Sequence, residues 1–115
     1  MQQETIFDKI LRKEIPCSFI YEDDWVFAFR DINPQAPTHI LVVPKHKSAN
    51  FSGLLDMEPH QLGHFLKGIA KVASLLGLKE DGYRVVFNEG SDGGQTVSYV
   101  HAHILGGRRL GWPPG

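Results

Sequence analysis

The chain has 115 residues, a formal net charge of −1, an apolar fraction of 42% and a charged fraction of 22%. This length favours a single domain over residues 1–115, and the small net charge argues against a nucleic-acid partner or an acidic membrane surface. The single cysteine, Cys17, excludes an internal disulfide. No apolar run approaches the roughly 20 residues of a membrane span, and the charged N-terminus lacks a signal-type segment. We therefore expect a cytoplasmic protein without a membrane partner.

The first part of the chain predicts a short helix followed by three strands. Thr5 is a suitable N-cap for the periodic segment "TIFDKILRK", and Pro16 closes it soon afterwards. "SFIYED" and "WVFAFRD" are typical of two strands joined at the acidic turn 22–24. The two prolines of "DINPQAPT" indicate a loop, and "HILVVP" (39–44) then predicts a short buried strand.

The second part predicts a long helix and two further strands. Apolar residues recur at helical spacing from about Glu58 to Leu76, and Gly77 can end the helix. "GYRVVFNEG" and "TVSYVHAHILGG" indicate strands on either side of the polar loop "SDGGQ". Because the connections are short, we expect an α+β fold with five mainly antiparallel strands, one long helix and one short helix.

The last strand carries the most distinctive side chains. On an extended strand Tyr99, His101 and His103 share one face, and His39 opens another strand. Three interpretations compete. Three imidazoles can hold zinc with an open position; two core histidines can simply bond to backbone; or a neutral imidazole can act as a nucleophile. The remaining histidines are interpreted as surface residues: His46, His60 and His64.

The loop "NEGSDGGQT" (88–96) favours an anionic ligand. Consecutive backbone N–H groups around Gly93 and Gly94 can converge on phosphate oxygens. Gln95 and Thr96 add side-chain donors. Since the loop directly precedes the histidine strand, one phosphate can contact both.

Four segments in order resemble the histidine-triad (HIT) superfamily, in its Hint branch of nucleotide-binding proteins. They are "IFDKILRKEIP", "AFRDINPQAPTHILVVPKH", "GYRVVFNEGSDGGQTV" and "HAHILGGRRLGWPPG", and together they cover nearly the whole chain. The resemblance implies a HIT-like fold, a homodimer whose two sheets form one of ten strands, and hydrolysis of purine nucleoside phosphoramidates. Hydrolysis of dinucleoside polyphosphates is disfavoured, since the C-terminal segment matches the Hint branch.

The resemblance also implies roles for individual residues. His101 matches the nucleophile, which forms a nucleotidyl-imidazole intermediate; His103 matches the histidine that contacts phosphate, and His39 a supporting histidine. Asp31, with Ile32 beside it, falls where the family binds ribose hydroxyls. The tail 108–115, with Trp112, resembles the segment that approaches the partner's active site. The matches to the apolar base pocket are Ile6, Phe7, Ile10, Ile15, Phe29 and Leu41, and those to the phosphate side are Asn88, Gly94, Gln95, Thr96 and Val97.

Two positions depart from the family pattern. Zinc-bearing members carry Cys-x-x-Cys where this chain has Thr5 and Asp8, so we expect no structural zinc and no other cofactor. Tyr99 occupies the first position of the histidine triad. A lost general acid–base role would slow the reaction by about 10²–10⁴-fold, whereas a replaced hydrogen bond would cost little. We expect a slower enzyme that Tyr99→His accelerates; the alternative is a nucleotide-binding or interaction protein with weak or no catalysis.

Overall fold

A computed structural model describes residues 3–115. The short predicted helix is α1, Ile6–Leu11. At its N-terminus the side chains of Thr5 and Asp8 each accept the backbone N–H of the other residue. Asp8 N–H donates to Thr5 Oγ1 over 3.3 Å, and Thr5 N–H donates to Asp8 Oδ2 over 2.6 Å. This capping box satisfies N–H groups that the first helical turn leaves without partners, so Thr5 is confirmed as the N-cap.

Five strands form one sheet in the order β1-β2-β3-β5-β4, and every neighbouring pair is antiparallel. In the register of β3 and β5, His39 lies opposite Leu105 and Leu41 lies opposite His103. His39 and His103 are therefore diagonal neighbours, a position from which long side chains can meet. The strands are β1 Phe19–Glu22, β2 Val26–Arg30, β3 Thr38–Pro44, β4 Tyr83–Val86 and β5 Ala102–Gly106.

The long predicted helix is α2, Pro59–Leu75, and it ends before Gly77, whose φ is +72°. The helix packs against one face of the sheet, where Gly68 allows a close approach. A Cβ at that position would lie 2.7 and 2.8 Å from the two methyl carbons of the fully buried Val26. α2 and the sheet thus enclose the larger apolar core.

α1 covers part of the opposite face of the sheet, where a second apolar cluster includes Phe7, Phe29 and Tyr99. Along the last segment of the chain, alternate residues are divided between the two faces. Val100 and Ala102 belong to the α2 core, whereas Tyr99 belongs to the cluster of α1. The prediction that side chains around the histidines point alternately to the two faces of the sheet is therefore confirmed.

Three details differ from the sequence-based expectation. Ladder pairing in the last strand begins only at Ala102, because the segment before it bonds elsewhere; Val100 N–H donates to Ser48 O over 2.7 Å. The glycine-rich loop contains a single helical turn, α3, Gly90–Gly93, and a 3₁₀ helix, Ser52–Asp56, precedes α2. None of the helices in residues 3–115 has the length and hydropathy of a membrane span.

Candidate active site

His101 is held by a backbone carbonyl. Its Nδ1 lies 2.7 Å from the carbonyl oxygen of Tyr99, and the residue is 7% exposed. Because a carbonyl oxygen only accepts, the imidazole proton must lie on Nδ1. In the neutral ring, Nε2 then keeps a free lone pair. Phe7 packs edge-on against this ring with the centroids 5.0 Å apart, which limits its rotation.

His39 and His103 form a second hydrogen-bonded unit whose tautomers follow from its partners. The backbone N–H of Gln35 donates to Nδ1 of His39 over 3.0 Å, so the proton of His39 lies on Nε2. That Nε2 is 2.9 Å from Nδ1 of His103, which must therefore accept. The proton of His103 is left on its Nε2. The rings of His101 and His103 are adjacent, with centroids 4.9 Å apart.

Asp31 completes this group of side chains just beyond the end of β2. Its Oδ2 lies 3.4 Å from His39 Nε2, while its Oδ1 accepts the backbone N–H of Asn33 over 2.8 Å. The carboxylate is partly buried, and it keeps acceptor capacity for a hydroxyl group because each oxygen has two lone pairs.

The environment keeps all three imidazoles neutral near pH 7. Burial lowers the pKa of His101, although the Tyr99 carbonyl and the charge of Asp31 act in the opposite direction. Burial also lowers the pKa of His39 against the influence of Asp31. His103 is affected most, because burial and the neighbouring His101 and His39 lower its pKa to about 4. A neutral His101 is the nucleophilic form.

Most of the predicted base-pocket residues lie together against the face of the sheet that α1 covers. A single apolar cluster contains Phe7, Ile10, Phe29 and Leu41, with Ile15 packed against it. Val97, which was predicted at the phosphate side, also packs against this cluster. Ile6 and Ile32 do not belong to this cluster and are 48% and 96% exposed. Beside the cluster, an open cleft of about 240 Å³ is lined by Ile10, Lys13, Ile15, Pro16, Cys17, Phe19 and Phe27.

A larger cavity, of about 540 Å³, has no histidine in its lining. It is formed by the turn after α2 and by the segment that follows β5. Size alone therefore does not identify the candidate active site, because His39, His101, His103 and Asp31 are brought together elsewhere. The lining residues are Gly77, Leu78, Asp81, Gly82, Gly107, Arg108 and Arg109.

The glycine-rich loop differs from the prediction at Gln95. Its Nε2 donates to Ala49 O over 2.7 Å and to Val97 O over 2.9 Å, so the amide holds the loop and offers no free donor to a ligand. Gly94 adopts φ +79°, a conformation that suits glycine, and Thr96 is exposed. Asn88 is half-buried. For Asn88, Gly94 and Thr96, the role at the phosphate side stays a prediction.

Tyr99 shares the α1 side of the sheet with His101, but its side chain is a core residue. It is 1% exposed, and its hydroxyl donates to Pro44 O over 2.6 Å. Phe7 packs edge-on against the ring, with centroids 6.2 Å apart. The direct contact of residue 99 with His101 is its backbone carbonyl, a group that every residue type carries.

The metal interpretation involves a different set of residues from the one predicted. Within residues 3–115, ligand-type atoms of Asp31, His39 and His103 lie within 4.8 Å of one another, whereas His101 bonds to the Tyr99 carbonyl. The nitrogen atoms of His39 and His103 that face each other already share a hydrogen bond. Hydrogen bonds within the chain thus explain the arrangement of these side chains.

Trp112 lies on the C-terminal tail and is 81% exposed in the single chain. Arg84 of β4 holds this tail, because its Nη2 donates to Gly111 O over 2.9 Å and its guanidinium lies 5.8 Å from the Trp112 ring centroid. The predicted approach of Trp112 to a partner's active site stays a prediction.

Sequence reasoning missed residues that act through backbone or across long separations. Gln35 contributes only its N–H to His39, and a backbone donor leaves no signal in residue type. Lys47 bonds to Asp8, 39 positions away. Phe27 could have been recognised, since its neighbours in "WVFAFRD" mark a strand buried on both faces.

A family model described as "HIT domain" matches residues 12–110. The chain belongs to the HIT domain family. The predicted family membership and the five-stranded antiparallel HIT fold are thereby confirmed.

Known relatives agree with this membership along almost the whole chain. A purine nucleoside phosphoramidase of Escherichia coli is 48% identical over 111 residues, covering 96% of this chain and 93% of the relative. A 14 kDa zinc-binding protein of Zea mays is 55% identical over 114 residues, covering 96% and 88%. The crystal structure of a HIT family hydrolase from Legionella pneumophila matches with a TM-score of 0.91 and 46% identity, covering 97% of this chain and all of that one.

Proposed function

We propose that this protein hydrolyses purine nucleoside phosphoramidates to the nucleoside monophosphate and a free amine, with His101 as the nucleophile. The observation that carries the proposal is the 2.7 Å bond between His101 Nδ1 and the Tyr99 carbonyl. It fixes the tautomer in which Nε2 is unprotonated, as attack on phosphorus requires. The E. coli relative, named for this reaction, supports the choice of substrate class.

The reaction proceeds in two displacements at phosphorus. Nε2 of His101 attacks the α-phosphorus, a phosphorus–imidazole bond forms, and the bond from phosphorus to the amine breaks. The amine departs with a proton taken from solvent. Water then attacks phosphorus and returns a proton to solvent, which breaks the phosphorus–imidazole bond, releases the monophosphate and restores neutral His101. His103 carries its proton on Nε2, so it can donate a hydrogen bond to the phosphoryl oxygens or to the nitrogen of the departing amine. The carboxylate of Asp31 accepts hydrogen bonds from ribose hydroxyls, and the cluster of Phe7, Ile10 and Leu41 receives the purine.

We also propose that the active form is a homodimer. β1 and β4 are the edge strands of the sheet, and an unpaired edge can pair with a second chain. On β4, Tyr83 and Val85 are each 39% exposed in the single chain, so pairing there would bury apolar surface. Sedimentation equilibrium tests this proposal: a dimer supports it and a monomer at micromolar concentration contradicts it.

The test of activity compares three proteins on adenosine 5′-phosphoramidate. Wild type is expected to release AMP, and His101→Ala to lose at least 10³-fold in kcat, because the covalent route is removed. His60→Ala is the matched control, since His60 is an exposed histidine on α2, and it should retain wild-type turnover. Equal AMP release by wild type and His101→Ala would contradict the proposal. Calorimetric binding of AMP by a wild-type protein that releases none would identify a nucleotide-binding protein instead.

A further inference from the structure

A polar cluster next to Tyr99 has no part in the reaction as written above. Asp8 Oδ2 accepts the backbone N–H of Thr5 and also Nζ of Lys47, which lies 2.9 Å away. Lys47 Nζ donates in addition to Gln3 O over 2.7 Å. The Lys47 and Asp8 side chains are only 21% and 17% exposed. This pair is therefore less screened than an ion pair in open solvent.

Lys47 lies on the segment that follows β3, and this segment contacts the side chain of Tyr99. Lys47 Nζ lies 5.5 Å from the centroid of the Tyr99 ring, within the range of a cation–π interaction. The hydroxyl of Tyr99 donates to Pro44 O, at the end of β3. Both contacts join the side chain of Tyr99 to the stretch Pro44–Lys47.

The same segment also binds the peptide group that holds the nucleophile. The N–H of Val100 and the C=O of Tyr99 belong to one peptide unit, which is planar. That N–H donates to Ser48 O over 2.7 Å, and that C=O accepts Nδ1–H of His101. Fixing the N–H on Ser48 therefore fixes the direction of the carbonyl toward His101.

Asp8 links the cluster to a second support of His101. It follows Phe7 on α1, and Phe7 packs edge-on against the His101 ring. An ion pair that holds the start of α1 against Lys47 therefore also holds Phe7 in place. The bonds from Lys47 and Thr5 outweigh the effect of burial and lower the pKa of Asp8, so it is charged near neutral pH.

We propose that Asp8, Lys47 and Tyr99 form a positioning clamp that binds α1 and the segment Pro44–Ser48 to the Tyr99–Val100 peptide and so fixes the tautomer and orientation of His101. These three residues are positioning residues that act through the Tyr99 carbonyl and Phe7. The inference rests on the proposed function only in taking His101 as the nucleophile; the geometry of the clamp is independent of the substrate.

The test uses Lys47→Met, Lys47→Arg and Tyr99→Phe, with Lys45→Met as the matched control. Lys45 is two positions from Lys47 and forms an ion pair of 2.7 Å with Glu22 that does not involve Tyr99. For Lys47→Met and Tyr99→Phe we expect kcat to fall about three- to tenfold, with KM within about twofold of wild type. Lys47→Arg should recover to within about twofold, because a guanidinium can pair with Asp8 and stack on the ring.

A second readout does not depend on activity. In ¹⁵N NMR of the free protein, wild-type His101 should show a protonated Nδ1 and an unprotonated Nε2. In Lys47→Met and Tyr99→Phe both nitrogens should shift toward intermediate values, as expected for two exchanging tautomers. Lys47→Arg and Lys45→Met should keep the wild-type spectrum. Thermal unfolding of each variant identifies any that does not fold. If Tyr99→Phe does not fold, the comparison of Lys47→Met with Lys47→Arg still tests the clamp.

Two results would overturn the clamp. One is a His101 spectrum in Lys47→Met that equals wild type together with an unchanged kcat. Another is a fall in kcat of equal size in Lys45→Met and Lys47→Met, since this would indicate a general effect of a lost surface cation. If wild type releases no AMP, the proposed function fails, and the tautomer spectra still decide the clamp.

Discussion

Replacing Tyr99 by histidine restores the residue type of the family motif, yet we now expect the variant to be less stable and no faster than wild type. The Tyr99 ring is 1% exposed within the apolar cluster of Phe7, and its hydroxyl is bonded to Pro44 O. An imidazole is smaller than a phenol and cannot place a donor at the same point. This reverses the expectation, drawn from the sequence, that Tyr99→His raises turnover.

The magnitude follows from two effects. A carbonyl oxygen of Pro44 left without its partner costs about 1–3 kcal/mol. A gap of about 40 Å³ adds about 1 kcal/mol at about 24 cal/mol per Å³. The free energy of unfolding should therefore fall by about 2–4 kcal/mol. For a domain of this size, that corresponds to a decrease in Tm of roughly 8–16 °C.

The assay combines thermal and urea unfolding with AMP release at 25 °C, where the folded fraction of the variant can be measured. Turnover per folded protein should fall below wild type, because residue 99 still supplies the backbone carbonyl to His101 but loses the contacts with Pro44 and Lys47 that hold this carbonyl in place. Tyr21→His is the matched control, since Tyr21 is a half-buried tyrosine whose hydroxyl bonds to Asp23. A Tyr99→His variant with unchanged Tm and faster turnover would refute this reasoning.

Three further predictions concern stability. Gly68→Ala gains about 1 kcal/mol in helix propensity but forces a methyl group against Val26, at an overpacking cost of about 1–3 kcal/mol. Urea unfolding should therefore show a net decrease in the free energy of unfolding, and an increase would contradict the packing. Thr5→Ala should reduce the free energy of unfolding by about 1 kcal/mol through loss of the N-cap to Asp8, with an unchanged stability as the contrary result. The pKa of His103 is about 4 in the folded protein and about 6.5 when unfolded, so the unfolded state binds more protons between these values; Tm should fall as pH decreases from about 6.5 to 4, and His103→Asn should flatten this dependence.

Local patterns in the sequence were sufficient for most elements of the fold, although not for α3, the 3₁₀ helix or the start of the last strand. The Thr5 cap is confirmed, and so is the long helix expected from about Glu58 to Leu76, which the structure places at Pro59–Leu75. Both depend on residues within a few positions. The alternation around His101 was equally predictable, since side chains on extended backbone point alternately to the two faces. The resemblance in four segments then predicted the family.

Only the tertiary structure decided which contacts each group in the candidate site makes. From the sequence, Tyr99 shares one face of the strand with His101 and His103. Its contact with Pro44, 55 positions away, makes it a core residue, and its carbonyl holds His101. The proton of His103 is assigned through His39, 64 positions away. Residue types determined which elements form and which faces they bury. Tautomers and hydrogen-bond directions depend on partners and backbone orientations that folding fixes, and these determine which nitrogen of each imidazole carries the proton.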